Sequence, residues 1–99
     1  MNIKRIRSVD LPDEVQLYIR ATCLSYRWQP QHVRKKIERS CRACGGEHAQ
    51  ALLEMMTTRR PVHAIAAEHY VSERALYDMR RAFCLAWGRE LIKNRETFR

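Results

Sequence analysis

The sequence predicts an all-α fold of about five helices, and three observations carry that reading. Strong helix formers dominate: Ala, Leu, Arg and Glu are abundant, β-branched residues are few, and there are only 3 Gly and 3 Pro. Apolar residues recur at offsets of three and four through most of the chain. The breaks (Pro30, Gly45–Gly46 and Pro61) fall between the periodic segments.

The 99 residues fit one domain with a modest core. Residues 1–9 read as a basic arm. Asp10 is placed as an N-cap, with Pro12 and Asp13 in the first turn of a helix reaching about Gln29. Its apolar residues make two stripes: Val15, Tyr18, Ile19, Thr22 and Tyr26, then Leu17, Ala21, Leu24 and Trp28. Such a helix is either central to the fold or shared with a partner. After Pro30, residues 31–44 carry Val33, Ile37, Cys41 and Cys44 on one face, and Gly45–Gly46 stop the helix. Residues 47–57 form a third helix with Ala49, Leu52, Leu53 and Met56 inward; together, 10–58 make a supporting unit.

Cys41 and Cys44 are spaced C-x-x-C, which raises zinc or redox chemistry. They also continue the apolar stripe of Val33 and Ile37, and free cysteine behaves as a small buried hydrophobe. A structural zinc site needs a second ligand pair, and Cys23, Cys84 and the four histidines show no such spacing. The expectation is core cysteines, no metal and no cofactor, with a small zinc-binding protein as the lesser alternative.

The formal charge is +8, from 19 Lys+Arg against 11 Asp+Glu, and most of the cations are arginines. Arginine's planar fork suits phosphate and guanine edges, so this balance points to a nucleic-acid partner. No apolar run approaches the ~18 residues of a membrane span, and no signal-peptide core follows MNIKRIR. The expectation is a cytoplasmic protein with no membrane contact and free thiols.

Residues 61–83 read PVHAIAAEHYVSERALYDMRRAF. A short helix holds Ile65 and Ala66, a turn falls at about 69–71, and Ser72 is a natural N-cap for the next helix. This stretch resembles the helix-turn-helix of bacterial and phage transcription regulators, over about twenty residues from Val62 to Arg81. The layout is similar to sigma-factor region 4 and to response-regulator DNA-binding domains. Small fimbrial-operon and plasmid-partition regulators and phage late antiterminators share it. Tyr70 stands where many of these relatives have glycine. The resemblance implies that Ala66 allows close helix approach, that Ile65, Val71, Leu76 and Met79 lock the pair, and that the helix at 72–83 enters a major groove. Ser72, Glu73, Arg74, Tyr77, Asp78 and Arg81 would face DNA, with Arg59, Arg60 and His63 at the flank. Arg74 would read guanine, and Glu73 or Asp78 cytosine.

After this motif (61–82) the helix continues over 83–93, with Phe83, Trp87 and Leu91 extending the stripe of Leu76 and Met79, and 94–99 read as a basic tail. Exposed, that stripe would aggregate, so it packs on the first helices or on a second subunit. Leu17, Leu24, Trp28, Phe83, Trp87 and Leu91 are the candidates for a homodimer or partner interface. Catalysis is not expected: His63 and His69 have no nucleophile or carboxylate at a dyad spacing, and no phosphate loop is present. The rival reading is an adaptor or antitermination-type factor that binds RNA polymerase or another regulator through its apolar helices.

Overall fold

The computed structural model describes residues 10–97, and among these the fold is all-α. The expected basic arm at 1–9 and the end of the tail, 98–99, lie outside the described residues. Five helices follow in order: α1 (Asp13–Leu24), α2 (Gln31–Gly45), α3 (Ala49–Thr57), α4 (Val62–His69) and α5 (Glu73–Thr97). Short 3-10 turns at Tyr26–Trp28 and Gly46–His48 join α1 to α2 and α2 to α3. No helix among the described residues is long and apolar enough to cross a membrane.

The start of α1 differs from the expectation. Pro12, not Asp10, holds the N-cap position, and no side chain caps it. The Pro12 carbonyl instead accepts from the Val15 and Gln16 amides at 3.0 and 3.1 Å. Leu11 is buried, and its carbonyl accepts from Gln16 Nε2 at 3.1 Å. The segment before α1 therefore enters the core, where a charged Asp10 cap would have left it at the surface.

The helix also ends early, at Leu24 rather than near Gln29. Ser25 Oγ donates to the Ala21 carbonyl at 2.7 Å, occupying an acceptor of the last turn, and Pro30 forbids continuation. Of the two apolar stripes, Ile19 and Cys23 carry the buried face. Tyr18, Leu17 and Ala21 are exposed, and Trp28 is 77% exposed.

On α2 the expected face holds: Ile37 and Cys41 are buried, with Val33 and Cys44 packed beside them. Gly46 takes φ +54° and ψ −123°, a positive-φ backbone that glycine adopts without strain, and the helix stops there. Helix α3 is buried more widely than one stripe allows. Ala51, Leu52, Met55 and Met56 are all interior, because α3 packs against each of the other four helices. Short and apolar, α3 is the hub of the domain.

The 25-residue α5 runs unbroken through the expected extension and into the basic tail. Leu76, Phe83, Cys84 and Trp87 are buried. Phe83 and Trp87 stack with ring centroids 5.2 Å apart. Trp87 Nε1 donates to Ser40 Oγ on α2 at 2.8 Å, and Lys36 Nζ sits 4.7 Å from the Trp87 ring centroid. Phe83 and Trp87, read from the sequence as interface candidates, therefore belong to this chain's own core. Apolar side chains of this size each contribute about 2–3 kcal/mol when fully buried, and α1 and α2 complete their burial within one subunit.

Candidate nucleic-acid interface

Helices α4 and α5 are joined by three residues, Tyr70, Val71 and Ser72. The Tyr70 backbone is left-handed (φ 53°, ψ 43°), and both the Tyr70 and Val71 amides donate to the Ala66 carbonyl. That pair of bonds closes the end of α4 and turns the chain sharply, while Val71 packs against the core. Ser72 then caps α5: its Oγ accepts from the Ala75 amide at 3.0 Å. Ile65 and Leu76 are fully buried and Ala66 nearly so, and α4 packs on α5. Val71 and Met79 pack against the same core, and the turn takes the left-handed step at Tyr70.

Ser72, Glu73, Arg74, Tyr77, Asp78 and Arg81 are all exposed on the outer side of α5. Among the described residues Arg74 has no ion-pair or hydrogen-bond partner, which leaves its fork available to a ligand. Arg81 Nη2 lies 3.6 Å from Asp78 Oδ1, an exposed pair of little energetic weight. The half-buried Arg80 stacks on the Tyr77 ring at 5.0 Å, steadying a side chain on the outer face; the sequence had not singled out this role. Ser72 Oγ acts in the cap as an acceptor, which leaves its O–H free to donate.

No family model, curated protein or solved structure matches the chain.

The flank differs from expectation. Arg59 and His63 are exposed and have no ion-pair or hydrogen-bond partner among the described residues, but Arg60 is engaged. Its guanidinium donates to Glu68 Oε2 at 2.7 Å and also to Glu54. His69 Nε2 lies 2.8 Å from Glu54 Oε2, so the four side chains form one cluster joining α3 to both ends of α4. The hydrogen bonds from His69 and then Arg60 hold the Glu54 carboxyl below its usual range, and Arg60 does the same for Glu68. The two carboxylates hold the Arg60 guanidinium charged well above its ordinary range. Arg60 thus steadies α4 before it can touch a ligand.

Glu54, Glu68 and His69 are also the one group of three or more potential metal donors close together among the described residues, their ligand atoms within 4.8 Å of one another. The Arg60 guanidinium already occupies the space between the carboxylates, and a cation there would have to displace it. Cys41 and Cys44 join no such group; Cys41 is buried and Cys44 half-buried on α2. Burial pushes the Cys23 and Cys41 thiols up to about 12 and Cys84 to about 11, which keeps them protonated at neutral pH.

Proposed function

We propose that this chain is a sequence-specific DNA-binding transcription regulator that lays the N-terminal half of α5 in a major groove. The observation that carries the reading is the α4–turn–α5 unit. A three-residue turn fixes two helices around Ala66 and leaves the free fork of Arg74, beside Tyr77, on an unobstructed outer face. An arginine so placed suits the O6 and N7 acceptors of guanine. Arg59 and His63 stand at the start of α4, where phosphates would lie, and fix register. A homodimer would double the contact across two half-sites, with Leu17, Leu24, Trp28 and Leu91 as the apolar residues left at or near the surface.

The test is selection from a random duplex pool, followed by titration of the selected and a scrambled duplex with wild type and Arg74→Ala. Wild type should prefer the selected duplex, and Arg74→Ala should lose about 1–3 kcal/mol of that preference while still binding both in a salt-dependent way. Equal binding of both duplexes by wild type refutes base reading.

One observation favours a second reading. Trp28 is 77% exposed in the 3-10 turn that follows α1, with the Arg27 guanidinium 5.0 Å from its ring centroid, and Leu17 is exposed on α1. An adaptor for RNA polymerase or another regulator would use such a surface. It would fail on Trp28→Ala and tolerate Arg74→Ala.

A further inference from the structure

The outer face of α5 that would enter the groove carries Glu73 and Asp78 against Arg74 and Arg81, two negative charges and two positive, so it is neutral. Affinity for duplex DNA comes mainly from neutralising phosphates. The groove-reading face does not supply that term, and Arg60 beside it is tied to Glu54 and Glu68.

Among the described residues, the largest run of free positive charge lies on α2. This helix holds Arg34, Lys35, Lys36, Arg39 and Arg42 against a single acid, Glu38. Glu38 is held by the Tyr26 hydroxyl, and Lys36 is spent on Glu90 at 2.9 Å and on the Trp87 ring. Lys35, Arg39 and Arg42 remain. All three are exposed, they are spaced four and three apart, and none makes an ion pair or hydrogen bond among the described residues. At 1.5 Å per residue they form a row about 10 Å long on one side of the helix. His32 extends it by a turn, and no acidic side chain is exposed between residues 31 and 43.

The row is also tied in position to the candidate groove helix. Gly45, at the end of α2, lies against Met79 of α5, where a Cβ would stand 3.6 Å from the Met79 sulfur. Ser40 meets Trp87, and Lys36 meets Glu90. The helices therefore run antiparallel, and Arg42 is the end of the row nearest the turns of α5 that carry Tyr77, Asp78 and Arg81.

We infer that Lys35, Arg39 and Arg42 form a second contact surface, for the phosphate backbone of the same duplex, and that they supply much of the salt-dependent affinity that the neutral face of α5 lacks. This rests on the DNA-binding reading above and adds a division of labour: α5 reads bases, α2 holds phosphates.

The test is Lys35→Gln/Arg39→Gln/Arg42→Gln in the full chain, with helicity checked by circular dichroism, titrated against the selected and scrambled duplexes from ~0.05 to ~0.3 M salt. Loss of three phosphate contacts should flatten the slope of log K against log salt by about 2 to 3, with affinity at ~0.1 M salt down about tenfold or more. The ratio between the two duplexes should stay at the wild-type value. A slope and affinity equal to wild type overturn the inference and leave groove reading by α5 intact; the row would then serve an acidic protein surface. A collapsed ratio with an unchanged slope also overturns it. If wild type binds neither duplex, both readings fall together. Should the triple variant misfold, Arg39→Gln/Arg42→Gln, expected to flatten the slope by about 2, decides by the same criteria.

Discussion

Arg20 of α1 donates from Nη1 to the Met55 carbonyl of α3 at 3.0 Å, across 35 residues of sequence. The same guanidinium reaches the Met56 carbonyl at 3.1 Å and, through Nη2, the Thr58 carbonyl at 3.2 Å. A helix end leaves carbonyls without intrahelical partners, and here one fork from another helix satisfies three of them. Burial, and then the nearby charge of Arg80, lower the Arg20 pKa from its ordinary value, yet the guanidinium remains charged at neutral pH. The last turn of α3 leads directly into α4, so Arg20 sets the platform on which the candidate interface stands.

Arg20→Ala should destabilise the fold by about 2–3 kcal/mol, because hydrogen bonds from a charged donor are lost in a partly buried site. Arg20→Lys should recover less than half, since an ammonium cannot span three carbonyls as a planar fork does. Urea denaturation of the three proteins measures it. A lysine variant as stable as wild type would show that charge near the end of α3 matters and the fork does not.

Tyr70→Gly should stabilise the protein. The left-handed backbone costs a residue with a Cβ about 1–2 kcal/mol, and the Tyr70 side chain, 94% exposed, returns little by packing. Part of the gain is lost to the greater freedom of glycine in the unfolded chain, leaving about 0.5–1 kcal/mol. Tyr70→Val should move the other way, as a β-branched residue tolerates this conformation least. A thermal midpoint unchanged by glycine would mean that the exposed ring stabilises the turn by a contact of its own.

Some of these features were legible in the sequence and others were not, and the division follows the range of the interaction. The stripe of Val33, Ile37 and Cys41, the glycine stop at Gly46 and the Ser72 cap are set by residues within a turn of one another, so spacing shows them. The same holds for Ile65, Ala66 and Leu76 around the turn. Arg20 gave no signal, because a cation on a helix looks alike whether it meets water or carbonyls 35 residues away. Arg60 and His69 looked free because Glu54 lies in another helix. Phe83 and Trp87 read equally well as core or interface, since the stripe says that a face is covered and not by which chain. Asp10 misled because a good capping residue stands two positions before the Pro12 that holds the position.

Gly88 shows another contact that periodicity hides. A Cβ there would stand 2.5 Å from both Leu11 Cδ1 and Cδ2, so the absent side chain is where Leu11 docks on α5. Gly88→Ala should cost about 1 kcal/mol, because overpacking a buried leucine outweighs the helix propensity alanine gains. In a Leu11→Ala background the clash is gone, and Gly88→Ala should then stabilise. A double-mutant cycle by denaturant titration reads the coupling, and strict additivity would show that Leu11 moves aside freely.

The Glu54–Arg60–Glu68 cluster should give the fold an acid-sensitive component. Both carboxyls are held below their unfolded value of 4.5, so they stabilise the fold fully above that pH. The contribution is lost as pH falls through the depressed folded values. The difference in urea midpoint between wild type and Glu54→Gln should therefore be largest above the unfolded value of 4.5 and shrink as pH falls below it. A gap constant over that range would mean that Glu54 acts by packing and not through its charge.

The four cysteines should divide by burial when challenged with a thiol reagent. The thiolate is the reactive form, and burial pushes Cys23 and Cys41 up to about 12 and Cys84 to about 11. Cys44 is also raised by burial, but it is half-buried and within reach of solvent. At neutral pH in native buffer one thiol, Cys44, should react slowly. The other three should become reactive only with the global unfolding transition, so that Cys44→Ser removes the native-state signal and leaves the unfolding-linked one. Native-state reaction of Cys23 or Cys84 at a rate independent of denaturant would mean that α1 and α5 separate locally. It would place the weakest point of the core at the junction that Leu11 and Gly88 close.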